Sequence, residues 1–383
     1  MKLKPQVILL GVAALLNDAA SELIYPLLPI FLTTTLGATP VVIGLIEGAA
    51  DGLASILKYF AGAWSDRAQR RKPLIVSGYA LAAGARVLIA AATMWPLVLT
   101  ARLVDRTGKG IRSAPRDAMI SDVTPQEQRG RAFGFHRALD HTGAIVGPLL
   151  AVMLLQGFGV SLRAAFLFAV IPGAIGVAML LFLLKEITPQ PATNAQPLTP
   201  PNPQLPPAFA GAITSIALFS LANSSDAFLL LQAHAAGVST AMLPLLWAAH
   251  HVIKALFSTA AGGLSDRAGR RGLLISGWLT YAVIYALFPF AHSLTAFVVL
   301  FIVYAIPFTL AEGAERAWIA DMVPAETRGR SFGIYYLTNG MCVLAGTALF
   351  GVIYQQFSPH AAFFTGAALA LAAALAVLAT RRY

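Results

Sequence analysis

Residues 62–71 read GAWSDRAQRR, and residues 262–271 read GGLSDRAGRR. A second pair of segments follows them: 122–134 read DVTPQEQRGRAFG, and 321–333 read DMVPAETRGRSFG. The first pair is separated by 200 residues and the second pair by 199. Two motifs that keep their spacing in both halves of a chain indicate a duplicated unit, and parallel repeats of this kind are typical of membrane carriers.

The composition indicates a protein that lies in a lipid bilayer. Of the 383 residues, 57% are hydrophobic and 11% are charged, and the mean hydropathy is +0.72. A soluble domain has roughly 25% charged residues, so much of this surface must face hydrocarbon. A spanning helix takes about 20 apolar residues. We predict twelve such helices, at 6–33, 40–64, 73–93, 96–121, 129–155, 162–184, 209–233, 240–264, 272–291, 294–321, 329–356 and 360–380.

Positive charge is concentrated on one side of these helices. The net charge is +10, and the Lys and Arg residues fall at both termini and in alternate loops, at 67–72, 129–131, 267–271 and 328–330. The positive-inside rule therefore predicts an inner-membrane protein with both termini in the cytoplasm. Since the basic charge reports topology, we expect the lipid bilayer as the partner and no nucleic acid.

A proline-rich stretch divides the chain. Residues 185–208 contain eight prolines, and such a stretch neither spans a membrane nor packs as a helix. We predict an N-terminal six-helix bundle at 1–184, a cytoplasmic linker at 185–208 and a C-terminal six-helix bundle at 209–383.

The repeated loop motif resembles that of the major facilitator superfamily, between its second and third helices. From Arg102 to Asp122 the spacing is similar to the family's fourth-helix element, although the residues after Arg102 are charged where the family has small or apolar ones. Residues Gly143 to Pro148 resemble the Gly-x-x-x-Gly-Pro element of its antiporters. The resemblance implies an all-α membrane fold of two pseudo-symmetric bundles, with alternating access. It further implies a monomer that carries a small molecule and protons, without a cofactor or an enzymatic reaction.

Charged residues at the ends of the repeated motifs are candidates for a gate. Acids and bases at a helix end form charge-assisted pairs that hold one conformation and break in another. The alternative is that they report topology only. The gating candidates are Gly62, Asp66, Arg67, Arg70, Arg112, Arg116, Asp122, Gly147, Pro148, Asp266, Arg267 and Arg270.

A basic stripe runs along the fourth predicted helix. Arg102, Arg106, Lys109, Arg112 and Arg116 recur at helical spacing and cover an arc of roughly 120°. Cations at membrane depth must face protein or water. The first three are candidates to bind an anionic substrate, because guanidinium groups suit carboxylate and phosphate. The alternative is internal pairing, with partners Asp18, Glu22, Asp105 and Asp117.

Two acids lie one turn apart in the first predicted helix. Asp18 and Glu22, with Tyr25 one turn further on, are candidates to carry protons, since shielded carboxyl groups take up and release them. A permanent salt bridge to Arg102 is the alternative. Glu47 and Asp51 form a similar pair in the second helix.

His136, Asp140 and His141 form a polar patch in the fifth predicted helix. Three interpretations remain open: a proton relay, because histidine titrates near physiological pH, a transition-metal site, or hydrogen bonds between helices.

Polar residues of the second half complete the set of coupling candidates. Glu312, Glu315 and Arg316 lie on the tenth predicted helix, and Asp226 lies on the seventh. By the repeat, Glu315 stands where Arg116 stands, so the two helices are candidates to pair. Lys254 and His251 are further cavity candidates.

We therefore predict a proton-coupled secondary transporter that exports a small, anionic organic molecule. The alternatives are uptake of organic acids or metal chelates with protons, and an intramembrane metal-dependent enzyme at the histidine patch.

Overall fold

The computed structural model describes residues 3–28, 31–38, 40–186, 205–223, 229, 243–291 and 293–380. These ranges are helical and contain no β-strand. The first half forms α1 (Pro5–Ile24), α2 (Pro40–Ala68), α3 (Lys72–Ala91), α4 (Trp95–Val123), α5 (Arg129–Val152), α6 (Leu162–Phe168) and α7 (Val170–Leu183). The second half forms α8 (Pro207–Ala222), α9 (Leu243–Ala268), α10 (Arg270–Leu287), α11 (Leu294–Val303), α12 (Ala305–Met322), α13 (Arg328–Gln356) and α14 (Pro359–Ala379).

Most of these boundaries lie within a few residues of the predicted ones, and four predicted helices differ. The seventh, predicted at 209–233, is shorter, because α8 ends at Ala222 and Asn223 lies outside the helix. The first predicted helix is shorter, because α1 ends at Ile24 and a 3₁₀ turn, Tyr25–Leu27, follows it. The sixth and tenth are each divided, at Ala169 and Tyr304. Asp226, residues 187–204 of the predicted linker and residues 230–242 lie outside the described residues.

Several helices begin at a serine that accepts a hydrogen bond from a backbone N–H of the first turn, or at a proline, which has no backbone N–H. Ser161, Ser293 and Ser358 precede α6, α11 and α14, and each hydroxyl accepts a hydrogen bond from the backbone N–H three residues on. This contact satisfies a donor that has no partner inside the helix. Proline occupies the first turn of α1, where its missing N–H is tolerated.

The chain forms two compact units. Unit 1 contains residues 1–124, 139–195 and 325–336, and unit 2 contains residues 125–138, 196–324 and 337–383. Each unit therefore includes a short segment from the other half of the sequence. These segments, 125–138 and 325–336, both include the RGR sequence of the second repeated motif.

Unit 1 is built around α4. Helix α4 packs against α2 and α3, and α7 packs against α1 and α3. The contact between α3 and α4 is close: a Cβ added at Gly78 would lie 2.5 Å from the Gly108 carbonyl oxygen. Small residues at such crossings allow the backbones to approach, which fixes the orientation of the charged face of α4.

Unit 2 is built around α10, which packs against α12 and α14. Its interior is aromatic. The rings of Tyr281 and Tyr285 stack at 4.5 Å, and the ring of Tyr304 lies 6.0 Å from that of Tyr285 and 5.0 Å from that of Phe308. Ring pairs at these separations stabilise a core beyond the area that they bury.

Eight helical stretches among the described residues are long and apolar enough to cross a membrane. They are Pro5–Ile24, Lys72–Ala91, Gln126–Gly157, Leu162–Leu183, Arg270–Phe290, Leu294–Met322, Ala325–Tyr354 and Pro359–Ala379. Helix α4 is not among them, because its central turns carry a dense set of charged residues. Charged side chains at membrane depth are costly unless they face protein or water.

Candidate functional site

A charged cavity of about 310 Å³ lies inside unit 1, between α1, α3 and α4. Its lining residues are Asn17, Asp18, Ser21, Glu22, Ile24, Tyr25, Ala85, Arg86, Ile89, Arg102, Asp105, Arg106, Lys109 and Arg112. The structure thus brings together the two acids of α1, Tyr25 and four of the five stripe residues. Arg112, which we grouped with the gate, lies in this cavity as well.

Two of the three stripe arginines that line the cavity have acidic partners. The Arg102 guanidinium lies 3.5 Å from the Asp105 carboxylate, and Arg106 lies 3.6 Å from Asp105 and 2.9 Å from Asp51. The internal pairing that we considered is therefore present. The paired guanidinium groups nevertheless line the cavity.

Lys109 lines the cavity beside the paired arginines. Within the described part of the chain, its ammonium group has no carboxylate within 4.0 Å. The residue is exposed and lines the cavity.

Arg86 is a cavity residue that the sequence analysis missed. It lies on α3, is 2% exposed, and its Nη2 donates to the Asn17 carbonyl at 3.0 Å, the Asn17 side-chain oxygen at 2.8 Å and the Ser21 hydroxyl at 2.9 Å. A single arginine in the middle of an apolar helix was the available signal, since charge at membrane depth is costly unless it has a function.

The two acids of α1 face the same cavity. Asp18 accepts a hydrogen bond from the Asn17 amide at 3.0 Å. Among the described residues, neither Asp18 nor Glu22 has an Arg or Lys partner within 4.0 Å, and Arg102 pairs with Asp105. The salt bridge from these acids to Arg102, which we considered as the alternative, is therefore not formed.

Two glycines of α5 lie against α1 directly beside these acids. A Cβ added at Gly143 would lie 2.6 Å from the Leu15 carbonyl oxygen, and one at Gly147 would lie 2.8 Å from Cβ of Glu22. The Gly143–Pro148 element is thus a close helix contact in this structure. It sets the position of the backbone that carries Asp18 and Glu22.

Asp66 is the centre of a charged latch in unit 1. Its carboxylate accepts hydrogen bonds from the backbone N–H groups of Gly329 at 3.0 Å and Arg330 at 2.6 Å, and from the Arg71 guanidinium at 3.0 Å. Arg71 and Arg328 each reach Asp122 at 2.7 Å. The latch ties the turn between α2 and α3 to the end of α4 and the start of α13.

We proposed Arg67 and Arg70 as gating residues from the sequence, but the arginine of this motif that takes part in the latch is Arg71. Arg71 is 1% exposed, whereas Arg67 and Arg70 are exposed to solvent. The sequence contained a signal, because Arg71 belongs to the repeated motif. The choice among three neighbouring arginines depends on the turn, in which Gln69 adopts a positive φ of 50°.

Unit 2 contains an equivalent latch around Asp266. Its carboxylate accepts hydrogen bonds from the N–H groups of Gly130 and Arg131, both at 2.9 Å, and pairs with Arg270. Arg270 and Arg129 reach Asp321 at 3.0 and 2.7 Å. Arg270 takes part as we proposed, and Arg267 is exposed.

The two latches explain why the repeat spacing changes from 200 to 199 residues. Three residues, 69–71, separate α2 from α3, whereas Gly269 alone separates α9 from α10. Arg71 and Arg270 make equivalent contacts and are 199 residues apart, although the acids Asp66 and Asp266 are 200 apart. One residue has therefore been gained or lost within this turn.

The C-terminal half of α4 contacts segment 325–336, which contains the residues that bind Asp66. Arg116 pairs with its neighbour Asp117 at 2.9 Å, and the Tyr336 hydroxyl donates a hydrogen bond to Asp117. The Lys58 ammonium lies 4.7 Å from the centre of the Tyr336 ring. Segment 325–336 thus contacts the same helix that carries the cavity cations.

Glu312 is the centre of a second charged cluster, in unit 2. Its carboxylate pairs with Arg137 and lies 3.6 Å from the Lys254 ammonium, and Arg316 donates to the Glu312 backbone carbonyl at 2.6 Å. Glu315 is buried on the same helix. Lys254 also lies 4.1 Å from the centre of the Phe308 ring.

His136, Asp140 and His141 are all buried on α5. Asp140 lies close enough to Asp18 to interact with it electrostatically. No group of three or more His, Cys, Asp or Glu side chains that is arranged to hold a metal ion occurs among the described residues.

The repeat shows that the charged cavity of unit 1 has an aromatic counterpart in unit 2. At the spacing of 199, Arg86 corresponds to Tyr285, Arg102 to Phe301, Asp105 to Tyr304 and Lys109 to Phe308. These are residues of the aromatic interior of unit 2, and all four are buried. Both units therefore contain a latch, whereas these four cavity positions are charged only in unit 1.

A helical, twice-repeated chain with a charged cavity inside one bundle is the architecture of a membrane transporter. The family model of the Major Facilitator Superfamily matches residues 10–249 and 208–383. The chain belongs to the major facilitator superfamily, whose fold has twelve helices in two halves.

Relatives cover both the whole chain and a part of it. The uncharacterized MFS-type transporter MJ1317 of Methanocaldococcus jannaschii is 30% identical over 98% of this chain and 95% of its own length. The multidrug resistance protein MdtH of Photorhabdus laumondii is 32% identical over 35% of this chain and 33% of its own length.

Two solved structures share the fold at low sequence identity. The human organic anion transporter MFSD10 matches with a TM-score of 0.79 at 17% identity, covering 98% of this chain and 100% of its own. The proton:xylose symporter XylE matches with a TM-score of 0.74 at 15% identity, covering 97% of this chain and 94% of its own.

Proposed function

We propose that this protein is a proton-coupled secondary transporter that carries a small organic anion by alternating access. The observation that supports this proposal is the cavity of unit 1, where Arg86, Arg102, Arg106, Lys109 and Arg112 outnumber Asp18, Glu22 and Asp105. A cavity with more cations than anions attracts negative charge, and its shielding from bulk water strengthens that attraction.

The cavity chemistry favours carboxylate or phosphate groups. Guanidinium groups bind such groups with paired N–H donors, and a lysine adds a compact point charge. Tyr25 supplies an aromatic face, since the Arg102 guanidinium lies 5.8 Å from its ring centre. The anion assignment rests on these residues, because the organic anion transporter shares only the fold at 17% identity.

Proton coupling is assigned to Asp18 and Glu22. Both acids line the cavity and lack an Arg or Lys partner within 4.0 Å in the described ranges, so each can exist as acid or carboxylate without breaking an ion pair. His136, Asp140 and His141 remain candidates for a proton relay.

The Asp66 and Asp266 latches are assigned to gating. Each combines two carboxylates, two backbone N–H donors and two arginines, and such networks switch between formed and broken states. We propose that both latches lie on the cytoplasmic side of an inner membrane, together with both termini, and that they break when the cavity opens to the cytoplasm.

Two coupling modes are supported by different observations. Export in exchange for protons is favoured by the Gly143–Pro148 element and by the partial likeness to a multidrug resistance protein. Uptake together with protons is favoured by the position of Asp18 and Glu22 among the cavity cations.

A transport assay tests the proposal. Purified protein in liposomes with an imposed pH difference should move radiolabelled carboxylates or phosphate monoesters, and Lys109→Ala should reduce that transport at least about tenfold. The exposed residue Lys185 provides the control, because Lys185→Ala removes the same charge outside the cavity. Transport of cations alone, or normal anion transport by Lys109→Ala, would contradict the proposal.

A further inference from the structure

The acids and cations of the cavity act on one another through their charges. Glu22 interacts electrostatically with Lys109, Arg106 and Arg102, and Asp18 interacts with Lys109 and Arg112. We infer that protonation of these two acids and binding of the anion strengthen each other, so that protons and anion travel in the same direction. The inference rests on the proposed function and selects its coupling mode.

The reason is competition for the same positive charges. An ionised Glu22 neutralises part of the field of Lys109 and the neighbouring arginines, and a bound anion needs that same field. A proton on Glu22 removes the competing charge without occupying the space of the anion. By thermodynamic reciprocity, the anion then favours the protonated acid to the same extent. Exchange would require the opposite sign, with protonation weakening the binding of the substrate.

The charged groups around the two acids determine the sign of this coupling. Helix α4 contributes four cations and Asp105, α3 contributes Arg86, and α5 contributes Asp140. Helix α2 contributes Asp51, which pairs with Arg106, and α7 packs against α1 and contributes no charged residue. This set of groups carries a net charge of +2 when Asp18 and Glu22 are protonated and 0 when both are ionised. Anion binding is therefore favoured when the two acids are protonated.

The repeat does not place these cations in unit 2. Unit 2 carries Tyr285, Phe301 and Phe308 at the positions that correspond to Arg86, Arg102 and Lys109. These three positions therefore provide no positive charge for an anion in unit 2.

Binding measured against pH tests the inference. The probes are 1,2-ethanedisulfonate, whose charge is constant between pH 5.5 and 8.5, and succinate. For the whole protein in detergent, we expect the affinity for whichever probe binds to rise on the order of tenfold as the pH falls from 8.5 to 5.5. Glu22→Gln and Asp18→Asn should each keep much of the high affinity at pH 8.5. Glu127→Gln, at an exposed acid outside the cavity, should behave as the wild type.

Proton exchange with the medium gives a second readout. In weakly buffered solution at pH 7, addition of ethanedisulfonate should make the wild-type protein take up protons, and Glu22→Gln should reduce that uptake. Proton release, or tighter binding at alkaline pH, would overturn the inference while leaving the anion site intact. If neither probe bound at any pH, the anionic substrate of the proposed function would be refuted instead.

Discussion

The backbone N–H of Gly329 donates a hydrogen bond to the Asp66 carboxylate at 3.0 Å. A Cβ added at Gly329 would lie 2.6 Å from that carboxylate and 2.5 Å from the Gly62 carbonyl oxygen. The acid and the glycine therefore require each other, because only a residue without a side chain lets the backbone donor approach. In unit 2, Gly130 and Asp266 make the equivalent contact at 2.9 Å.

Replacement of Asp66 by asparagine should weaken the latch of unit 1. The new side chain would present one acceptor oxygen and an amide donor to the two N–H groups of Gly329 and Arg330, and the charge that pairs with Arg71 would be lost. We expect the free energy of unfolding to fall by about 1.5–3 kcal/mol, measured by denaturant unfolding in detergent. Arg67→Ala, at an exposed arginine of the same motif, should change it by less than about 0.5 kcal/mol. Equal effects of the two substitutions would show that Asp66 is not the centre of the latch.

Adjacent glycines of α9 provide a matched test of the close contact in unit 2. A Cβ added at Gly262 would overlap the Gly130 carbonyl group, whereas one at Gly263 would meet nothing within 4 Å. Gly262→Ala should therefore reduce stability by about 1–3 kcal/mol. Gly263→Ala should leave it unchanged or raise it slightly, since alanine favours helix. Thermal unfolding of the two variants measures the difference, and a Gly262→Ala protein as stable as the wild type would contradict the packing described here.

Gly147→Ala should disturb the acid that we assign to coupling. The new methyl group would lie 2.6 Å from the Ala19 carbonyl oxygen and 2.8 Å from Cβ of Glu22, so α1 must shift. We expect anion-dependent proton uptake to fall by a larger factor than in Gly84→Ala, whose added Cβ meets nothing within 4 Å. If proton uptake is normal in Gly147→Ala, the position of Glu22 does not depend on this contact.

Arg86→Lys should not preserve the α1–α3 contact. The lysine ammonium lacks the planar fork with which Arg86 reaches Asn17 and Ser21 at 2.8–3.0 Å. We expect lower anion affinity together with a loss of roughly 1–3 kcal/mol of stability. Arg70→Lys, at an exposed position, is the control. If Arg86→Lys binds the anion with wild-type affinity, only the positive charge at position 86 matters.

Glu312→Gln should destabilise unit 2. The substitution removes the carboxylate that pairs with Arg137 and lies 3.6 Å from Lys254, and leaves two partly buried cations without that charge. We expect a loss of about 1–3 kcal/mol, read from thermal unfolding. A second substitution, Lys254→Met, should restore part of the loss, because it removes one of the two cations. If Lys254→Met restores no stability in the Glu312→Gln protein, the Lys254 ammonium and the Glu312 carboxylate do not stabilise each other.

The sequence alone determined the membrane class and the internal repeat. Apolar stretches of spanning length, positive charge in alternate loops and two duplicated motifs are local properties that need no knowledge of contacts. The basic stripe from Arg102 to Arg116 was also predictable, because helical periodicity places residues three and four apart on one face. The family model and relatives confirm the superfamily.

Tertiary structure decided which partner each charged residue has. Arg71, and not Arg67 or Arg70, enters the latch because the turn after α2 aims that side chain inward. Arg86 meets Asn17 because α3 and α1 are brought together by packing, over 69 positions of sequence. Gly143 and Gly147 matter because the α1 backbone passes against them. Periodicity specifies the face of a helix, whereas pairing between faces depends on crossings between distant segments, and no local pattern encodes those crossings.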